Sequence, residues 1–141
     1  MTIFVVGIGL DGSDGLSEGV NRIIEHATVL AGSKRHLSYF PEQSGKKVCL
    51  SNLKTGIDEI AKLVQGDCSV VILASGDPLF FGLGRLLLES FEQEKLELHP
   101  HVSSIQLGFS KIKVPWQDAS LVSVHGRSNE ELIKLLSLIH I

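Results

Sequence analysis

Apolar and polar positions alternate along this chain with two different periods. Ile3-Phe4-Val5-Val6 is a short continuous apolar run closed by Gly7, the pattern of a strand buried on both faces. From Ser17 to Ala27 the period lengthens. Val20, Ile23, Ile24 and Ala27 fall at i, i+3, i+4 and i+7, one face of a helix. Thr28 to Ala31 predicts a second strand, stopped by Gly32, and Lys47 to Leu50 a weaker third. The helix that follows carries Ile57, Ile60, Ala61 and Val64 on one side and ends at Gly66-Asp67. Ser69 to Ala74 is the strongest strand signal. A helix over Arg85 to Phe91, a strand over Leu96 to Leu98, a helix over Ser103 to Ile112 and a strand over Leu121 to Val124 complete the pattern. Strands alternating with helices predict an α/β fold, a mostly parallel sheet with helices on both faces.

Near the end, Ser128 and Glu131 form a capping-box pattern. The helix it starts carries Leu132, Ile133, Leu135, Leu136, Leu138 and Ile139, and the sequence stops inside it without a C-cap signal. So apolar a face predicts a cover, either a further lobe or a second copy of the chain. Residues 1–127 therefore read as one lobe, and residues 128–141 as the start of a truncated second one.

Composition narrows the function. The 141 residues suit one domain, and 43% hydrophobic residues are enough for a core. Only 21% are charged and the net charge is -3, which leaves no basic footprint for nucleic acid and no polybasic patch for a membrane. No apolar run reaches the roughly 18 residues of a membrane helix, and the N-terminus shows no signal-peptide pattern. The expectation is a cytoplasmic protein. Cys49 and Cys68 lack metal-ligand spacing and read as reduced, buried thiols. His99 and His101 flank Pro100 with no third ligand nearby, so no metal is expected.

Two glycine loops carry the chemistry. Gly7, Gly9 and Gly12 fit G-x-G-x-x-G directly after a strand, which alone suggests a dinucleotide site. The context opposes that reading. The helix opens only near Ser17, and no Asp or Glu stands between His26 and Pro41 to hold a ribose. The second loop, Ser75-Gly76-Asp77-Pro78-Leu79-Phe80-Phe81-Gly82-Leu83-Gly84, follows the strongest strand. In an open parallel sheet, ligands sit beyond the carboxyl ends of the strands. Asp77, held before a proline, and the aromatic pair suit a ligand that is part polar and part flat. Phe81 is expected to plug the core.

These loops resemble those of the tetrapyrrole methylase family, over nearly the whole chain. The resemblance rests on Val5-Val6-Gly7-Ile8-Gly9, Ser33-Lys34-Arg35-His36-Leu37, Ala74 to Gly84, Val102-Ser103-Ser104-Ile105-Gln106-Leu107, Pro115-Trp116-Gln117-Asp118-Ala119 and His125-Gly126-Arg127. It is strongest toward the precorrin-6Y methylases, also described as cobalt-precorrin-7 carbon-5 methyltransferases. It implies the N-terminal lobe of a two-lobed enzyme that binds S-adenosylmethionine between its lobes. It also implies carbon methylation of a corrin precursor on the route to cobalamin. By position it assigns cofactor contact to Gly9, Leu10, Gly76, Asp77, Phe80, Ser103 and Ser104. Asp77 can accept from the amine or hydroxyls, and the two serines open a helix whose free amides favour a carboxylate. The serines also read as ordinary helix caps.

Arg35, His36 and Arg127 are the candidates for a polycarboxylate tetrapyrrole, because arginine suits carboxylate recognition. Lys34-Arg35-His36 also reads as a solvated cationic surface. No triad is visible, so no catalytic residue is assigned. Two positions depart from the family pattern. Leu10-Asp11 stands where relatives have Pro-Gly, and His101 stands where they have glycine, a side chain that narrows the cofactor pocket. The implied partners are a homodimer mate and a carbon-15 methyltransferase/decarboxylase. A non-catalytic ligand-binding lobe and an NAD-dependent dehydrogenase are the rival readings.

Overall fold

Alternation within each strand decides which helix covers which face of the sheet. In the computed structural model, which describes residues 2–64, 66, 68–124, 129–130 and 132–134, five parallel strands stand in the order β3-β2-β4-β1-β5. They are β1 (Ile3–Ile8), β2 (Val29–Gly32), β3 (Lys46–Cys49), β4 (Val70–Ser75) and β5 (Leu96–His99). Between and after them lie α1 (Glu18–Glu25), α2 (Lys34–Ser38), α3 (Leu53–Leu63), α4 (Gly84–Ser90) and α5 (Ser104–Ile112).

Ile3 and Val5 of β1, Val29 and Ala31 of β2, and Val70 and Ile72 of β4 share one face and pack with Ile57 and Ile60 of α3 and Leu87 of α4. Val6, Ile8, Leu30, Val71 and Leu73 turn to the other face, with Ile24 of α1 and Leu37 of α2. The period of two splits each central strand between two apolar layers, which is why those strands read as unbroken hydrophobic runs. The expected α/β fold with helices on both faces is the one observed.

Local chemistry sets the ends. Ser17 Oγ accepts from the Val20 amide and starts α1, and Asn52 Oδ1 accepts from the Thr55 amide and starts α3. Ser33 does the same for α2, a five-residue helix too short to show a periodic stripe. The periodicity did not predict it.

Three expectations are corrected. Leu121 to Val124 forms no strand: among the described residues the sheet consists of β1 to β5, and Val122 and Val124 are exposed. Cys49 and Cys68 are free thiols, yet Cys49 is exposed on the edge strand β3 and Cys68 is half-buried. Phe81 is exposed at φ 52°, and the buried position in its loop is taken by Pro78.

The chain divides into two compact units, Met1–Gly108 and Phe109–Ile141. In the second, the Phe109 and Trp116 rings stack with centroids 5.8 Å apart. Of the helix expected from Ser128, Glu130 and residues 132–134 are helical, whereas Ser128, its capping partner Glu131, the candidate Arg127 and residues 135–141 lie outside the described residues. Among the described residues no helix is long and apolar enough to cross a membrane.

Candidate functional site

Neighbouring strands β1 and β4 send their chains to opposite faces. Their registers align Gly7 with Ala74 and Ile8 with Ser75. The helix after β1 covers one face and the helix after β4 the other. The loops therefore part above the carboxyl ends of the two strands. Such a switch point leaves a crevice there.

The loops beyond β1, β4 and β5 meet at this crevice by backbone contact. The Gly76 amide donates to the Ile8 carbonyl at 2.9 Å, and the His101 amide donates to the Gly76 carbonyl at 3.1 Å. A Cβ on Gly7 would stand 1.9 Å from the Gly76 oxygen and 2.6 Å from the His101 nitrogen. Gly76 has φ 58°, and a Cβ there would press on Ser103 Cα at 3.1 Å. Glycine at both positions is what lets the three loops close on one another.

In the second loop, Asp77 Oδ1 accepts from the Leu79 amide at 2.9 Å, an Asx turn that fixes the carboxylate. The Gly84 amide returns to the Pro78 carbonyl at 2.8 Å and opens α4. Phe80 is half-buried, its ring centroid 4.7 Å from that of Phe81. In the third loop, Ser103 is buried and forms a reciprocal cap with Gln106. Ser103 Oγ accepts from the Gln106 amide, and Gln106 Oε1 accepts from the Ser103 amide at 2.8 Å. Ser104, exposed, is the first residue of α5, where backbone amides lack an intrahelical acceptor.

The first loop turns tightly, with the Gly12 amide donating to the Gly9 carbonyl. Leu10 at its tip is 80% exposed, so its backbone is what it can offer a ligand. The two departures from the family pattern meet here. The His101 ring lies against Gly9, where a Cβ would come within 2.6 Å of Nδ1. Its Nε2 lies 3.2 Å from the Gly15 carbonyl and 3.9 Å from Asp11 Oδ1.

The Lys34-Arg35-His36 segment forms α2 and divides in role. Lys34 and Arg35 are exposed, whereas His36 is buried. Both Arg35 Nη2 and His36 Nε2 lie 3.1 Å from Ser75 Oγ, at the end of β4 and one residue before Gly76. Burial, and then the Arg35 guanidinium, push the His36 imidazole below its ordinary value of 6.5, against a smaller opposing effect of the Leu73 backbone. His36 is thus a neutral ring at pH 7, and the cationic surface is that of Lys34 and Arg35.

Gly9, Leu10, Gly76, Asp77, Phe80 and Ser103 lie in the three loops at this end of the sheet, Ser104 opens α5 next to Ser103, and Arg35 and His36 reach this end through Ser75. Ser75 and Asp11 were missed by the sequence reading. The only signal for Ser75 was its place directly before Gly-Asp-Pro. Its partners are about forty residues away, and no local pattern announces them. Among the described residues no group of three His, Cys, Asp or Glu side chains could hold a metal ion.

Comparison with known proteins gives the site a context. The family model for Tetrapyrrole (Corrin/Porphyrin) Methylases matches residues 2–138. A probable cobalt-precorrin-7 C(5)-methyltransferase of Methanocaldococcus jannaschii is 35% identical over 142 residues, which is 97% of this chain but 66% of that protein. The chain thus spans just under two thirds of that relative. The crystal structure of a cobalamin biosynthesis precorrin-6Y methylase from Archaeoglobus fulgidus superposes with a TM-score of 0.70 at 28% identity, over 92% of this chain and 67% of that one. A uroporphyrin-III C-methyl transferase from Thermus thermophilus, complexed with S-adenyl homocysteine, has the same fold. Its TM-score is 0.60 at 23% identity, over 74% of this chain and 46% of that one.

Proposed function

The chain belongs to the tetrapyrrole methylase family, and from that premise we propose that it is the S-adenosylmethionine-binding part of an enzyme that methylates carbon 5 of a corrin precursor of the cobalt-precorrin-7 or precorrin-6Y type. The observation that carries this reading is the closure of three loops at the carboxyl ends of β1, β4 and β5, with glycine wherever a Cβ would block the approach of one backbone to another.

The cofactor fits the donors present. Gly9, Leu10 and Gly76 offer backbone groups. Asp77, already oriented by Leu79, offers a carboxylate for the amine or hydroxyls. Phe80 offers an apolar ring, and the start of α5 at Ser103 and Ser104 suits a carboxylate. When bound, S-adenosylmethionine supplies an electrophilic methyl group. The chain's own part is to hold the reacting carbon in line with that group. Positioning of this kind can lower a barrier by about 7–11 kcal/mol. Arg35, exposed beside the crevice, is placed to pair with a tetrapyrrole carboxylate, and Arg127 keeps the same assignment from sequence.

Residues 1–127 form the cofactor lobe in this reading, and residues 128–141 open a second. Cytoplasmic location, a homodimer and a carbon-15 methyltransferase/decarboxylase partner extend it. The NAD-dependent alternative loses ground, because α1 starts at Glu18, well past the glycine turn, and no acid follows β2 before Pro41. Calorimetry with S-adenosylhomocysteine and with NAD, followed by a methyl-transfer assay on a corrin precursor, tests the proposal. Binding of the homocysteine product with turnover supports it. Binding without turnover favours a non-catalytic lobe, and preference for NAD overturns it.

A further inference from the structure

The cluster Ser75, His36 and Arg35 does more than carboxylate binding requires. A guanidinium has only donors. Arg35 Nη2 lies 3.1 Å from Ser75 Oγ and 3.4 Å from His36 Nε2, so it faces lone pairs on both atoms. An N–H on Nε2 would point at a donor. With the ring proton on Nδ1, Nε2 accepts. Two groups have a proton to offer Nε2, the Arg35 guanidinium at 3.4 Å and the Ser75 hydroxyl at 3.1 Å, and the hydroxyl is the nearer. In that tautomer the chain of bonds has a direction: Arg35 donates to Ser75 Oγ, and Ser75 Oγ–H donates to His36 Nε2. Ser75 and Arg35 are exposed at the crevice, while His36 is buried behind them.

We propose that Ser75 and His36 form a proton relay for the methyl-transfer reaction, with the Ser75 hydroxyl taking a proton from the methylated tetrapyrrole as it passes its own to His36 Nε2. The proposal rests on the methyltransferase reading above. A neutral ring carbon that gains a methyl from a sulfonium, as the sulfur–methyl bond breaks and its electron pair stays on sulfur, leaves the macrocycle with one positive charge. Loss of one proton restores neutrality, and the electron pair of the broken bond to hydrogen stays on the macrocycle. That proton bonds to Ser75 Oγ, the Ser75 proton bonds to Nε2, and the imidazole becomes an imidazolium. Proton return to solvent resets the pair. Arg35 orients the hydroxyl and, by its charge, favours release of the proton from the ring afterwards.

Few other charges face the imidazole. β4 presents Ser75 and the Leu73 backbone, and β2 presents Gly32. On β3, Lys46 pairs with Glu59, and Lys47 donates to the Phe40 and Pro41 carbonyls. The Asp77 carboxylate, two residues past Ser75, is bound to the Leu79 amide. Arg35 is the charge that acts on His36.

Two measurements test the relay. Nitrogen NMR of the histidine rings in this chain at pH 7 should show His36 neutral, protonated at Nδ1, with Nε2 shifted by Ser75→Ala. A charged ring, or a proton on Nε2, overturns the relay whatever the assay gives. In the methyl-transfer assay, Ser75→Ala should lower kcat by about a hundredfold, the lower end of general-base effects, with KM for the tetrapyrrole held. Ser75→Thr, which keeps the hydroxyl, should restore most of it. The rate should fall as pH drops below the ordinary histidine value of 6.5, and Arg35→Ala should move that fall to higher pH. A Ser75→Ala enzyme with wild-type kcat overturns the proposal, as does a Ser75→Thr enzyme no better than the alanine variant. The NMR signature in a chain that does not bind S-adenosylhomocysteine overturns the methyltransferase reading, and the relay with it.

Discussion

A Cβ atom on Gly7 would stand 1.9 Å from the Gly76 carbonyl oxygen, closer than any real side chain approaches a backbone atom. Gly7 lies near the end of β1 and Gly76 in the loop after β4, and their close contact joins the two at the crevice. Gly7→Ala should cost about 1–3 kcal/mol of stability, the usual price of overpacking at a tight site. It should also weaken binding of S-adenosylhomocysteine. Thermal unfolding and calorimetry check both, and a variant unchanged in each would show that the loops can part without loss.

Asp77 has two tasks, and two variants separate them. Asp77→Asn keeps an oxygen for the Leu79 amide and loses the charge. It should leave the melting temperature close to wild type while weakening S-adenosylhomocysteine by roughly ten- to a hundredfold, from a lost charged hydrogen bond of about 1.5–3 kcal/mol. Asp77→Ala should show the same affinity loss and a lower melting temperature. Equal affinity for wild type and the asparagine variant would remove the carboxylate from the site.

Most of the fold was legible because its signals are local. The runs at Ile3 and Ser69 and the helical stripe through Ile23 and Ile24 each announce one element. The first two site loops were legible for the same reason: glycines follow strands. Phe81 was misjudged because propensity places aromatics inside, whereas the turn that closes on Pro78 leaves it at positive φ. Leu121 to Val124 has the composition of a strand but adds no strand to the sheet, and membership of a sheet is not written in a segment alone. Ser75 with His36, and Asp11 with His101, are contacts between distant segments, and only the assembled sheet brings them together.

Arg35 stands outside the three loops and touches the crevice through Ser75. Arg35→Ala should therefore raise KM for a corrin precursor and leave calorimetric affinity for S-adenosylhomocysteine unchanged. Arg35→Lys should recover only part of the loss, since an ammonium lacks the planar fork that matches a carboxylate. A KM that does not respond to either change would remove Arg35 from substrate binding and leave it only its contact with Ser75 and His36.

His36 also makes stability depend on pH, with a sign fixed by its environment. Its imidazole titrates below 6.5 in the folded chain, because burial and Arg35 oppose the charge, and near 6.5 once unfolded. Between those two values the unfolded chain binds more protons than the folded one. Stability then rises with pH across that window. Above 6.5 both states are neutral at this position and the contribution is level; as pH falls through the window, stability is lost until the folded ring is protonated as well. Arg35→Ala should shrink the effect by removing the charge that helps depress the folded value. His36→Gln should abolish it. Chemical denaturation of the three proteins at pH steps from neutral to mildly acidic measures this directly, since other groups titrate alike in each and cancel in the differences. A wild-type curve parallel to that of His36→Gln would mean that His36 is as easily charged in the folded chain as in the unfolded one, and would remove the buried, neutral imidazole on which the relay depends.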